Sequence, residues 1–399
     1  MRIPTRSVLG RAAGAVLLLA AAGHRAFAQT PTVHIVGRVQ TQFSAVTGDS
    51  TSSFNPNGVV ASGFEVRRLR LDANVEIGEN VSLVMQPAFE MGALRMRDAY
   101  VRVRVAHRAG SAVALMMGQF KKPFNRYELN SSNNLPSIER GARLRGLAEV
   151  AAQNNLLLSD GYIAQDLGAA LDGSFLEGRV TARLGVFNGA GESAAEVNNA
   201  KTVGVRATAT VLRTADGHPQ LNVGAAFLTR DRAVTTTATG TAFSPDSSHR
   251  ASAAGLDAEW GGFRPGLHFI LDLASGDHLD DPAFRYDAGR NEGNLRPNAP
   301  DSAFSTFRSV QIVGAWRVQL AAPAGTRLVK IIEPALRVDL TDPDADRDDD
   351  AGMLVTAVLN LYFTPTTVMR AGLDWYRYRD AAGASRSIRA FRLAWQASF

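Results

Sequence analysis

The 399-residue chain has no cysteine, and its lysines are only Lys121, Lys122, Lys201 and Lys330. Without cysteine there can be no disulfide scaffold, thiolate metal centre or cysteine nucleophile, so cohesion must come from a large core or a closed sheet. Long hydrophobic runs are also missing. The longest, Ala12 to Ala22, is too short to cross a bilayer as a helix. Catalytic signatures are absent as well: there is no Gly-x-Ser-x-Gly elbow, no His-Glu-x-x-His and no phosphate-binding glycine loop. Beyond His24, the histidines His34, His107, His218, His249, His268 and His278 are scattered without ligand spacing, so no metal, no cofactor and no enzymatic activity is expected. A barrel enzyme with serine and histidine on its outer face would have to use His268, which lies in the apolar stretch Gly266 to Leu271.

The first 28 residues have the layout of an export signal. Arg2, Arg6 and Arg11 precede the apolar run, and Ala26-Phe27-Ala28 supplies a small-x-small cleavage site. Residues 1–28 hold four arginines and no acid, so their removal lowers the formal charge from +5 to +1. The basic character of the whole chain therefore predicts no nucleic-acid partner.

From residue 30 onward hydrophobicity repeats every second residue. Leu69, Leu71, Ala73, Val75 and Ile77 alternate with Arg68, Arg70, Asp72, Asn74 and Glu76. Ala99, Val101, Val103 and Val105 alternate with Asp98, Tyr100, Arg102 and Arg104, and the chain closes with Phe391, Leu393, Trp395, Ala397 and Phe399 on one face. Such segments have one apolar and one polar face. Sixteen fit, at about 33–44, 63–77, 80–91, 95–106, 112–120, 165–174, 177–188, 201–212, 219–230, 251–260, 264–274, 307–320, 326–339, 353–363, 366–378 and 387–399. Ile331-Ile332 and Pro334 predict a bulge in 326–339.

Connection lengths alternate between tight links and long ones, apart from a short link at 92–94. Short turns at one end, long loops at the other and an even strand count predict an all-β fold: a transmembrane antiparallel β-barrel of about 16 strands over 29–399, with short periplasmic turns and long extracellular loops. A Greek-key sandwich would not keep that order. This places the chain in the bacterial outer membrane, in contact with its lipid.

In such a barrel the apolar face meets lipid and the polar face lines the lumen. An arginine at the lipid midplane costs about 2–4 kcal/mol, which puts Arg68, Arg70, Arg102, Arg104, Arg179, Arg183 and Arg206 inside. They either pair with Asp72, Asp98 and Glu76 to stiffen the wall or leave a net positive lumen, the usual device for passing anions. The link 121–164, too long for a structureless loop, opens Lys121-Lys122-Pro123-Phe124 and carries Arg126, Arg140, Arg143 and Arg145. It is expected to fold into the barrel, the alternative being an outward loop that guards the rim. The acidic run Asp339, Asp342, Asp344, Asp346, Asp348, Asp349 and Asp350 reads as an extracellular loop, or as a site for divalent cations bridging to lipid headgroups.

The ordered set Arg67-Arg68-Leu69-Arg70-Leu71, Arg97-Asp98-Ala99-Tyr100-Val101, Gly118-Gln119-Phe120-Lys121-Lys122-Pro123-Phe124, Ile138-Glu139-Arg140 and Gly185-Val186-Phe187-Asn188-Gly189 resembles the phosphate-selective porin O and P family. The resemblance implies a sixteen-stranded homotrimer passing phosphate or other small inorganic anions, with the third long loop folded inward. It also implies a constriction built from an arginine of the first motif, Asp98 and Lys121. Strict alternation puts Arg68 inward and Arg67 outward unless a bulge intervenes. Arg70, Arg102, Arg104, Lys122, Arg126 and Arg140 complete the candidate anion-binding set. The third strand, Val81-Ser82-Leu83-Val84-Met85-Gln86, lacks the lysine of phosphate-selective members, which favours general anion preference over phosphate specificity. The other reading is a non-conducting barrel serving as adhesin, anchor or surface enzyme.

Overall fold

A computed structural model describes residues 30–48, 62–90, 93–141, 152–194, 201–231, 235–237, 240–242, 250–278, 305–321, 328–346, 348, 350–379 and 385–399. The proposed signal segment 1–28, Arg143 and Arg145 lie outside the described residues. In chain order the strands are β1 (Thr32–Gly48), β2 (Ser62–Ile77), β3 (Val81–Glu90), β4 (Ala93–Arg108), β5 (Ser111–Lys121), β6 (Gln165–Phe175), β7 (Val180–Phe187), β8 (Thr202–Arg213) and β9 (Pro219–Asp231). A small hairpin follows, β10 (Thr235–Thr237) with β11 (Gly240–Ala242). The remainder are β12 (Arg250–Trp260), β13 (Gly266–His278), β14 (Ser305–Gln319), β15 (Ile331–Asp342), β16 (Gly352–Thr364), β17 (Thr367–Arg379) and β18 (Ser385–Ser398). Two short helices, α1 (Arg126–Leu129) and α2 (Gln153–Ser159), lie between β5 and β6.

Apart from the hairpin, these strands form one closed antiparallel barrel of 16, sealed by β1 pairing with β18. Closure follows from the sequence: a two-faced sheet with lipid on one side cannot leave an unpaired edge. The last residue takes part, because Gly37 N donates to the Phe399 carbonyl at 2.9 Å and Phe399 N returns a bond of 3.0 Å to Gly37.

The faces sort as their chemistry demands. On β14, Phe307, Ser309, Gln311, Val313 and Ala315 are buried inside, while Ile312 and Trp316 stand exposed outside. Buried apolar clusters lie within the barrel, where residues of the 121–164 segment meet the inner wall: Tyr127 and Leu135 with Ile270 and Val313, and Ile138 with Val358 and Ala394.

Two expectations need correction. The strand read at 326–339 runs from Ile331 to Asp342 and has no bulge. Ala335 faces Ala315 and Ile332 faces Val318 in one unbroken register, and Pro334 sits opposite Leu359 without a shift. The missing proline N–H falls in the gap between those two β14–β15 pairings, so no ladder bond has to be rerouted. Asp339 consequently belongs to the barrel wall and not to an acidic loop. Secondly, Arg179 lies in the turn before β7, where it is exposed.

Gly118 in β5 adopts φ 132°, and a Cβ there would come within 2.2 Å of the Ala99 carbonyl. The neighbouring strand is backbone that cannot give way, and the conformation itself costs a side chain about 1–3 kcal/mol. Gly118→Val is therefore expected to lower the yield of folded barrel in lipid vesicles, read as the heat-modifiable band on a gel. A wild-type yield would refute the constraint.

Candidate functional site

The site begins with a bulge. Gln40 of β1 pairs with Arg68, but its neighbour Thr41 pairs with Val66, so Arg67 is left without a partner. Arg67 and Arg68 are therefore both buried on the inner side, where simple alternation would send Arg67 outward. A second bulge sets Arg97 and Asp98 of β4 against the single Gln86, since Met85 faces Ala99 and Pro87 faces Met96. These departures from period two fall within the two motif segments that carry the first resemblance.

Glu139 receives both arginines of the first bulge. Arg67 Nε and Nη2 donate to its two oxygens at 2.5 and 2.8 Å, and Arg68 Nη2 adds a bond of 2.8 Å. Burial pushes the Glu139 carboxyl up, but Arg67 and then Arg68 outweigh it and hold the group well below the usual carboxylate range. Arg68 also donates to Gln40 Oε1 at 2.8 Å. Arg70 pairs with Glu90, which Arg97 approaches at 3.1 Å on its other oxygen. Arg97 in turn bonds Glu192 at 2.5 Å.

The segment after β5 carries the other candidates. Lys121 donates to the Glu128 carbonyl and lies 3.4 Å from its carboxylate, and Arg140 Nε lies 3.1 Å from the other oxygen. Burial opposes the charge on Glu128, yet Arg140 and Lys121 bring it down to about 2, so it stays ionised at any physiological pH. Lys122 donates to the Gly161 carbonyl at 2.7 Å and stands 3.7 Å from Asp166; burial lowers it to about 8. Arg126 Nε reaches Glu259 at 2.7 Å. The amides of Arg126 and Tyr127, at the start of α1, each donate to Asp272 at 2.9 Å. Asp98 accepts from Gln165 at 3.2 Å.

Arg102 and Arg183 share Asp172, at 3.5 and 3.1 Å. Arg104 is inward, opposite Ala114, and exposed near the turn that ends β4. Arg206 is buried in a two-bond pair with Asp257. Apart from Arg104, the inward cations named above find carboxylates, although Asp72, Asp98 and Glu76 are not among their hydrogen-bonded partners in the described residues. Arg70 and Arg183 take Glu90 and Asp172 from the neighbouring strands β3 and β6. Glu139 and Glu128 come from the 121–164 segment, and Asp257 and Glu259 come from β12.

Sequence reasoning missed the far wall. Arg370 donates to the carbonyls of Leu135 at 2.8 Å and Asn133 at 3.1 Å. Arg337 bonds the Glu139 carbonyl at 3.0 Å, Asn360 bonds that of Pro136 at 2.9 Å, and Arg38 reaches Asn133 Oδ1 at 2.6 Å. Their period-two positions announce that they face inward, but nothing in the sequence announces carbonyl partners more than 90 residues away. His268 also faces inward, 3.4 Å from Glu259 and with its ring tilted against Phe263 at 4.0 Å, which removes the outer-face serine–histidine candidate. Among the described residues no group of three or more His, Asp or Glu side chains could hold a metal ion.

Residues 33–259, more than half of the chain, match the family description "Phosphate-selective porin O and P". The chain belongs to that family. It is a porin of the bacterial outer membrane, and the matched span covers both bulges and the whole segment between β5 and β6. The fold recurs in solved outer-membrane proteins. An anion-selective porin from Comamonas acidovorans superposes with a TM-score of 0.57 at 14% identity, over 93% of this chain and 100% of that one. The outer membrane channel DcaP of Acinetobacter baumannii gives 0.54 at 13% identity, over 95% and 100%. OmpT of Vibrio cholerae gives 0.52 at 12% identity, over 92% and 98%. A search of curated proteins finds no match.

Proposed function

We propose that this porin is a passive diffusion channel that prefers small anions, narrowed by residues 122–141 and 152–164 packed against the inner wall of the barrel. One observation supports the preference although most lumenal cations are paired: in the partly exposed lumenal pairs among the described residues, the cation is the more exposed member. Arg126 is 28% exposed against 1% for Glu259, and Arg97 is 16% exposed against 2% for Glu90. Arg102, at 34%, exceeds Asp172 at 24%. The carboxylates stand behind, so a passing ion meets guanidinium edges first, and fixed positive edges in a narrow low-dielectric passage concentrate anions.

The same pairing argues against tight phosphate capture. A phosphate seeking a bidentate arginine would have to displace a carboxylate already bound there. General anion passage, with phosphate as one substrate among several, fits this better than phosphate specificity. Residues 1–28 are read as the cleaved export signal and the assembly as a homotrimer, in line with the family.

Reconstitution in a planar bilayer under a potassium chloride gradient tests the reading. A reversal potential of anion-selective sign is expected, with added phosphate competing for current without long closures. A cation-selective potential overturns it, and absence of conductance supports a non-conducting barrel.

A further inference from the structure

On the outward face of β14 to β18 charged side chains keep to one end. Arg308, Asp342, Arg377 and Arg389 all lie near the extracellular ends of their strands, and the outward positions below them are Val310, Ile312, Leu340, Met353, Leu373 and Phe391. An outward arginine costs little only at the membrane interface, so this end marks the level of the outer-leaflet headgroups. Trp375 agrees, since it faces outward one pleat below Arg377 and directly opposite Arg389, with Nε1 donating to Ser387 at 2.8 Å.

Within that band the wall holds a cavity of about 540 Å³. Its floor is a continuous cross-strand row in which Val310 faces Leu340, Leu340 faces Met353, and Met353 faces Arg377. Arg308 stands one pleat above Val310, opposite Asp342, and Asp348 lines the far side. The groove therefore has an apolar floor that ends at Arg377, with Arg308 one pleat above its other end, and the carboxylates of Asp342 and Asp348 share its lining.

We propose that this groove binds a phosphorylated glycolipid of the outer leaflet. An acyl chain would lie on Val310, Leu340 and Met353, and a phosphate would be held between Arg308 and Arg377. Arginine is suited to the phosphate because its fork matches the tetrahedral oxygens, and basic pockets at membrane interfaces take anionic headgroups for that reason. A second copy of the chain is a poorer occupant. It would bring apolar barrel wall against Arg308 and Arg377 and desolvate both guanidinium groups together with the carboxylates beside them. The proposal depends on the barrel's place in the outer membrane and not on the ion preference of the lumen.

Native mass spectrometry of the intact porin released from detergent tests it, with bisphosphorylated lipid A, its dephosphorylated form and phosphatidylethanolamine as probes. The wild type should retain bisphosphorylated lipid A at one per subunit and the dephosphorylated form far less. The double variant Arg308→Ser/Arg377→Ser should lose most of the retained lipid while keeping its heat-modifiable barrel and its subunit number. Leu340→Trp, which fills the floor without touching a charge, should lose it too and guards against a folding defect in the double variant. Equal retention by wild type and both variants overturns the proposal, as does stronger retention of phosphatidylethanolamine. A change in subunit number with unchanged lipid retention would assign the face to a second copy and overturn it equally.

Discussion

Replacing Glu139 by glutamine is expected to loosen the segment after β5 and raise single-channel conductance without unfolding the barrel. Glu139 is 3% exposed and is the common acceptor of Arg67 and Arg68, which are equally cut off from water. Removing the carboxylate strands two guanidinium charges in a low-dielectric pocket, and breaking a buried pair in this way costs about 3–5 kcal/mol. The sheet does not bear that cost, because its backbone ladders close independently of Glu139. The penalty falls on the loop, which can relieve it by letting water reach the two arginines. The bonds from Arg370, Arg337 and Asn360 to the backbone of 133–139 would then be held from one side only. A matched control separates charge from shape. Arg67→Met/Arg68→Met combined with Glu139→Gln removes the whole buried triad, and such replacements are often neutral or stabilising. The triple variant should return toward wild-type conductance. If Glu139→Gln conducts like the wild type, the triad does not hold the loop.

The barrel was readable in the sequence because period two and alternating connection lengths come from constraints acting at every strand: lipid outside, water inside and no free edge. Individual site residues were less readable, for physical reasons that differ. Arg67 was hidden by a bulge, and a bulge changes one residue's face while leaving the pattern on both sides intact. At Pro334 the error ran the other way, since the proline fits an interruption already present between β14 and β15 and needs no change of register. Acceptors could not be assigned at all. Glu139 and Glu128 lie in a segment with no periodicity, and their partners are set by how its Tyr127, Leu135 and Ile138 pack against Ile270, Val313, Val358 and Ala394 of the wall. The nominated acids Asp72, Asp98 and Glu76 proved wrong for a related reason: the arginines take Glu90 and Asp172 from adjacent strands, and Asp257, Glu128 and Glu139 from further round the barrel and from within the loop.

That correction decides where charge reversal should act. The sequence alone would nominate Arg68→Glu, but a carboxylate placed against buried Glu139 would break the clamp and widen the pore, mixing two effects. Arg102 and Arg183 are the cleaner choice. They flank Asp172 on the β4 to β7 wall, lie at 34% and 28% exposure, and make no bond to the 121–141 segment among the described residues. At that exposure a charge swap leaves no group stranded, so folding should survive. The double variant Arg102→Glu/Arg183→Glu turns a cluster of two cations and one anion into three carboxylates. Ions that pass within a Debye length, about 8–10 Å, of the cluster meet the changed charge with little screening. The reversal potential under a salt gradient at pH 8 should move from anion-selective to cation-selective sign, with Arg102→Glu alone moving it part of the way. Raising the salt toward 1 M shortens the screening length to about 3 Å and should shrink the difference between variant and wild type. A reversal potential that does not move would mean that the ion path avoids this wall, leaving Lys121, Arg126 and Arg140 on the loop side to set the selectivity.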